Sequence, residues 1–252
     1  MRIMNFSEIR IIWEDEILRG SKSRYVWLFG GIFTFLCFLA MHYSTYISFL
    51  FPNSGRVPYT LVSYLVILFI GPFMIMATSF DIVCSEIETG SIRYIISKVH
   101  RSSLIIGKFL FLFLVSVSIS FGIALMSQIY QYSAGDAFQF GKIFLLWIFS
   151  SLYLGCFISI FIFISTLSTN NKISFAMSAV FLGILIFFFL QGSESYLKYI
   201  TPYFYGIINL EFLKDFQVET GYLRVFESLL SMFLYISVFL SISLIAIKRR
   251  DL

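Results

Sequence analysis

Long uninterrupted apolar runs, separated by short polar stretches, set the pattern of this chain. A hydrocarbon core about 30 Å thick needs roughly 20 apolar residues in helix to cross it. Six charge-poor runs approach or exceed that length, approximately Tyr25–Ser48, Tyr59–Ile82, Leu104–Tyr130, Ile143–Leu167, Ile173–Leu190 and Tyr222–Ile247. Barrel strands would alternate apolar and polar positions over about ten residues. Runs such as FLGILIFFFL do not alternate, so the pattern predicts helices.

Composition agrees: 59% hydrophobic, 20% aromatic and 13% charged residues lie far outside the range of a soluble domain. The expected fold is an all-α membrane protein, a single transmembrane domain over residues 1–252. The net charge of +4 is small, no nucleic-acid-binding face emerges, and the lipid bilayer is the first partner.

The placement of the cations predicts orientation. Thirteen Lys and Arg residues fall before the first run, between the second and third or just inside the third (Lys108), between the fourth and fifth, and after the sixth; five fall in the alternate segments or just inside the sixth run (Arg224). The cytoplasmic side carries that excess, so both termini are expected in the cytoplasm of a multi-pass protein of the cell (plasma) membrane. The first run reads as a retained span rather than a cleaved signal, because a long charged segment precedes it and no small-residue cleavage site follows.

Ahead of that span, NFSEIRIIWEDEILRG places Phe6, Ile9, Trp13 and Ile17 on one helical arc, with Glu8, Asp15 and Arg19 opposite. Residues 1–24 are therefore expected to form an amphipathic interface helix. Two uses are open: a membrane-surface anchor with Trp13 at headgroup depth, or a lever joining a cytoplasmic partner to the first span.

Between the second and third spans lies CSEIETGSIRYIISKVHRSSLIIGK, residues 84–108. Glu86 and Glu88 open a short helical pattern with Ile87, Ile92, Ile95 and Ile96 as its apolar positions, and Gly90 permits a turn or a tight approach. Arg93, Lys98 and Arg101 supply boundary cations, as the positive-inside rule alone would require. The array Glu86, Gly90-Ser91, Ile95-Ile96-Ser97, Arg101, Leu104-Ile105-Ile106 and Gly107-Lys108 also resembles the corresponding loop of type-2 ABC export permeases. That loop commonly reads Glu, three residues, Gly-Thr or Gly-Ser, a Leu-Leu-Ser-like step, Pro-Val-Ser-Arg, aliphatics and Gly-Lys. Here Ser97-Lys98-Val99-His100-Arg101 lacks the usual Pro and is one residue shorter.

The resemblance implies a six-helix permease whose cytoplasmic loop, residues 84–103, is a coupling helix seated in a cleft of an ATP-hydrolysing subunit. Glu86, Glu88, Gly90, Ser91, Arg93 and Arg101 are the coupling residues it implies. Partner ABC ATPase subunits, with ATP and Mg on those chains, and a second permease copy or a sibling permease complete the expected assembly. The chain itself has no P-loop, since Gly107-Lys108 and Gly141-Lys142 lack the preceding Gly and are followed by Phe and Ile. It is therefore read as a non-enzymatic transport subunit that binds no cofactor of its own.

Other chemistry is sparse. His42 and His100 are the only histidines and fall on opposite sides of the predicted membrane, so no metal cluster is expected. Cys37, Cys84 and Cys156 are an odd number and read as packing residues. Asp81, Lys108, Arg224 and Glu227 fall near span ends, which disfavours an ion-coupled secondary transporter without removing it as an alternative. A membrane scaffold or sensor that binds a cytoplasmic partner through the same loop is the other alternative.

The segment 191–221 is too aromatic for a flexible linker. Tyr196, Tyr199, Tyr203, Phe204 and Phe212, broken by Thr201-Pro202, suggest short external helices. They fit an aromatic belt; by family resemblance they fit re-entrant helices capping an exit path, with Tyr199, Pro202, Tyr203 and Phe204 in an external gate. Gly155 with Ser159, and Ser174 with Ser178, allow close helix approach either within the bundle or between copies. Uncharged spans point to an apolar or amphipathic substrate.

Overall fold

A computed structural model describes residues 6–22, 24–44, 58–92, 94, 99–135, 137–191, 196–214 and 221–249, with the side chains of 6, 7, 19–22, 24–29 and 221 excepted. The described residues are mostly helical, with short turns between the helices and no strand among them. In chain order the helices are α1 (Phe6–Lys22), α2 (Arg24–His42), α3 (Tyr59–Ser79), α4 (Cys84–Glu88), α5 (Arg101–Ser133), α6 (Phe140–Leu167), α7 (Asn171–Leu190), α8 (Pro202–Lys214) and α9 (Gly221–Arg249), with a 3₁₀ turn at Tyr196–Ile200 before α8.

Five stretches are long and apolar enough to cross a bilayer: Tyr59–Glu88, Arg101–Ser133, Phe140–Leu167, Asn171–Leu190 and Tyr222–Arg249. Where the sequence predicts a first span, α2 contributes a shorter described apolar stretch, Gly30–His42. The core is built around α6, whose Phe149, Tyr153, Phe157 and Phe161 are fully buried, and α3, α5 and α9 pack on it. Gly155 admits this packing: a Cβ there would stand 3.0 Å from both Ile236 of α9 and Phe113 of α5. Ser159, Ser174 and Ser178 are buried as well, so these small-residue pairs serve the interior of one bundle.

Pro72 lies inside α3. Proline lacks the N–H that would bond the carbonyl four residues back. That carbonyl, of Leu68, accepts instead from the Tyr153 hydroxyl of α6 at 2.7 Å.

At one end of the bundle, α1 runs beside the first turns of α5 and in the same direction. Glu8 meets His100 and Glu16 meets Lys108, a constant offset of 92 positions. The expected apolar arc is thereby covered by protein: Ile9 and Ile12 are buried, and Trp13 and Ile17 are packed against the core. Phe6 belongs to α1, but its side chain lies outside the described residues. Glu8, expected on the polar face, turns inward to the start of α5, while Ile11 and Leu18, each 61% exposed, face outward. Burying Ile9 and Ile12 against α5 is what brings Glu8 to that side.

Close approach of α1 depends on Gly107, where a Cβ would lie 2.6 Å from Ile12 Cγ2 and 3.0 Å from Ile12 Cβ. Ile12 is β-branched and cannot swing clear. Gly107→Ala should cost about 1–3 kcal/mol through overpacking. In thermal unfolding of the detergent-solubilised protein, Gly107→Ala/Ile12→Ala should be more stable than the sum of the two single changes allows.

Candidate functional site

The residues that sequence reasoning grouped in the loop before α5 converge, with others, at the end of the bundle that holds α1, α4 and the start of α5. Lys108 is the centre. Helix α5 has 33 residues, about 50 Å at 1.5 Å per residue, against a hydrocarbon core of about 30 Å. Lys108 lies two turns from its start, and a helix of this length can cross the core with a charge so near its end outside the hydrocarbon.

Its side chain is nonetheless only 3% exposed, and its ammonium pairs with Glu16 Oε1 of α1 at 2.6 Å and Glu86 Oε1 of α4 at 2.8 Å. One cation therefore links three helices. Glu86 Oε2 is buried without a hydrogen-bond partner, and Asp81, in the turn between α3 and α4, lies within the field of the same ammonium. Carboxyl groups outnumber ammonium groups at this centre, and the proximity of Glu16 and Glu86 to Lys108 is what keeps it compact.

The short helix α4 is fixed at both ends by neighbouring helices. Ser165 Oγ of α6 accepts from the backbone N–H groups of Val83 and Cys84, at 3.2 and 3.0 Å. Glu88 Oε2 accepts from the Asn171 N–H at 3.0 Å, at the start of α7. Just before α4, the Phe80 carbonyl accepts from Ser174 Oγ of α7. The turn that follows is exposed at Thr89, Gly90 and Ser91. Gly90 has φ of 71°, the left-handed region that glycine occupies without strain, and Ser91 Oγ lies 2.9 Å from Thr89 Oγ1. Ile92 then returns to the core.

The start of α5 is anchored in turn. Glu8 Oε2 accepts from the His100 N–H at 3.0 Å, His100 Nδ1 accepts from the Ser102 N–H at 3.2 Å, and Arg101 Nη1 donates to the Ile247 carbonyl of α9 at 3.3 Å. Of the expected loop residues, Glu86, Glu88, Gly90, Ser91 and Arg101 thus share one locality; Arg93 lies outside the described residues. Glu16, Lys108, Ser165 and Glu8 were not singled out as site residues by sequence. The matching eight-residue spacings Glu8 to Glu16 and His100 to Lys108 were the available signal.

At the opposite end, α8 is docked rather than laid on the surface. Pro202, Tyr203, Gly206, Asn209, Phe212 and Leu213 are buried at helical spacing, and a Cβ on Gly206 would stand 3.0 Å from Leu68 and 3.1 Å from the Tyr153 ring. Tyr203 is 2% exposed and packs against Tyr153, Phe157 and Phe189. The 3₁₀ turn keeps the belt-like character: Tyr196 is 87% exposed. Tyr199 meets Phe204 edge-on at 4.6 Å between centroids, with Lys198 over both rings.

The class this architecture defines is a multi-pass helical membrane protein. Residues 10–252 match the family model described as ABC-2 family transporter protein, and the chain belongs to that family. It is accordingly an ABC transporter permease, a membrane subunit for transport. A comparison with curated proteins gives no match.

The charge balance at Lys108 yields a direct expectation. Lys108→Met leaves two carboxylates, each only 14% exposed, without their cation and should cost about 3–5 kcal/mol. Adding Glu16→Gln and Glu86→Gln should recover most of that loss, measured as thermal stability in detergent.

Proposed function

We propose that the chain is the six-span membrane subunit of an ATP-driven exporter in the plasma membrane, with α2 as its first span and both termini in the cytoplasm. A separate ABC ATPase, carrying ATP and Mg, docks on the exposed turn around Glu88, Gly90 and Ser91, with Arg93 on the same segment. A second copy of the chain or a sibling permease completes the path for an apolar or amphipathic substrate. The 3₁₀ turn and α8, with Tyr199, Pro202, Tyr203 and Phe204, form part of the outer gate.

The observation that carries this reading is the pairing of Lys108 with Glu86 and Glu16. A force applied to α4 reaches α5 through Glu86 and α1 through Glu16 without passing through a flexible segment. Arg101, bonded to the Ile247 carbonyl, extends the same connection to the end of α9. Glu86 is therefore the internal link of the coupling loop, and its exposed neighbours make the external contact. The buried face of α8 supports a gating role over a surface belt.

Co-expression with the genomic neighbours, purification in mild detergent and mass spectrometry should recover a P-loop ATPase in stoichiometric amount. Ser91→Trp should abolish that recovery while shifting stability by no more than about 0.5 kcal/mol, as expected at an exposed position. Recovery of the unaltered chain alone would remove the ATPase assignment. With Glu16→Gln, Glu86→Gln and Lys108→Met combined, the ATPase should remain bound while hydrolysis no longer drives transport in reconstituted vesicles.

A further inference from the structure

Between α2, α3 and α5, with Leu154 of α6 also lining it, lies a crevice enclosing about 530 Å³ of atom-free space, part of it open to the outside. It runs from Gly71 to Thr78 on α3 and from Ile119 to Leu112 on α5, each a rise of about 10 Å at 1.5 Å per residue. Its end away from α1 is closed. A Cβ on Gly30 of α2 would stand 3.2 Å from Ile119, and one on Gly71 would stand 2.7 Å from Leu154 and 3.9 Å from the Phe33 ring. The other end points toward Lys108, one turn before Leu112. Met74, Ile75 and Val115 are half-buried where they line the crevice, and their neighbours Phe73 and Leu114 are exposed on the outer surface of the bundle.

The described lining offers a guest no polar group. Thr78 Oγ1 donates to the carbonyls of Met74 and Ile75 at 3.2 and 3.1 Å, and Ser116 Oγ donates to that of Phe113 at 2.8 Å, so both hydroxyls are used within their own helices. A polar or charged guest would lose its water here and gain no partner. An apolar lining left empty forfeits dispersion contacts, and such cavities take apolar guests rather than water. The lining stretches of α3, α5 and α6 lie within membrane-length helices, and inside the hydrocarbon the mobile apolar matter is lipid tail. We propose that the crevice holds one acyl chain of a phospholipid from the leaflet at the α1 end, its tail toward Gly30 and its head end toward the level of Lys108. The chain is a wedge that fixes α2 against α3 and α5. This assignment uses only the membrane-spanning character of the protein and is independent of the ATPase and of the transported substrate.

Two leucines at matched depth provide the readout. Arg101 bonds the Ile247 carbonyl, and Phe113 and Ile236 both stand against Gly155, so α5 and α9 are antiparallel with Leu112 and Leu234 at about the same depth. Leu112 lines the crevice and is 6% exposed, whereas Leu234 is 54% exposed on the outer surface. The full chain is reconstituted in vesicles of dioleoyl phosphatidylcholine containing a minor fraction of phosphatidylcholine with a diazirine along one acyl chain, irradiated, and mapped by mass spectrometry. A seated chain labels Leu112 at least as strongly as Leu234, against the order of their exposure. Contact with bulk lipid alone labels Leu234 and spares Leu112, and that result overturns the inference. Val115→Phe, which fills the crevice, should reduce the Leu112 label severalfold and leave Leu234 unchanged. A Leu112 label that persists in the folded variant also overturns the inference, because the probe then reaches Leu112 by another route. Should Val115→Phe fail to fold, the ratio of the two labels in the unaltered chain decides alone.

Discussion

The ammonium of Lys108 is withdrawn from water, and a charge so placed is tolerated only where opposite charge and hydrogen bonds compensate it. Here the compensation comes from two other helices, so the positions of α1, α4 and α5 are mutually dependent. The dependence is steep because separation of a desolvated pair exposes each charge to an environment that cannot solvate it. At the same time the cluster is not saturated. Glu86 Oε2 remains without a partner, so the link between α4 and α5 rests on one carboxylate oxygen rather than a two-pronged clamp.

The same economy governs the helix ends around it. Helix termini leave backbone N–H and C=O groups that the helix itself cannot satisfy, and in an apolar bundle each must find a partner in protein. Ser165 serves the start of α4, Glu88 the start of α7, and Glu8 the residue that opens α5. The Leu68 carbonyl freed by Pro72 is served by Tyr153. Each satisfying group comes from a helix other than the one it serves, so the seams that close individual helices also fasten them to one another. Small residues let the backbones approach far enough for this, with Gly107 beneath Ile12 of α1 and Gly206 of α8 over Leu68 and Tyr153.

Much of this was legible in the sequence because apolar length is a strong signal: the five membrane-length helices coincide with runs visible in the primary pattern. The loop residues Glu86 to Arg101 were legible through their resemblance to a family motif, and the family membership follows from nearly the whole chain. Partners were not legible. Periodicity assigned Glu8 to the polar face of α1, whereas a carboxylate that caps a neighbouring helix turns inward, and nothing within α1 signals that neighbour. Lys108 read as one boundary cation among several, because burial depends on what α1 and α4 bring to it. The aromatic segment before α9 was open between belt and insert for a similar reason: Tyr196 and Tyr203 are alike in sequence and opposite in exposure.

The constant offset between α1 and the start of α5 has a consequence for biogenesis. Helix α1 leaves the ribosome before α5, and the groups that receive Glu8 and Glu16 are encoded 92 positions later. Two predicted spans must be threaded before its apolar side has protein to rest on. During that interval the membrane surface is the natural shelter for Ile9, Trp13 and Ile17. The amphipathic pattern thus serves two successive hosts: lipid while the chain is being made, and the base of α5 once it has arrived.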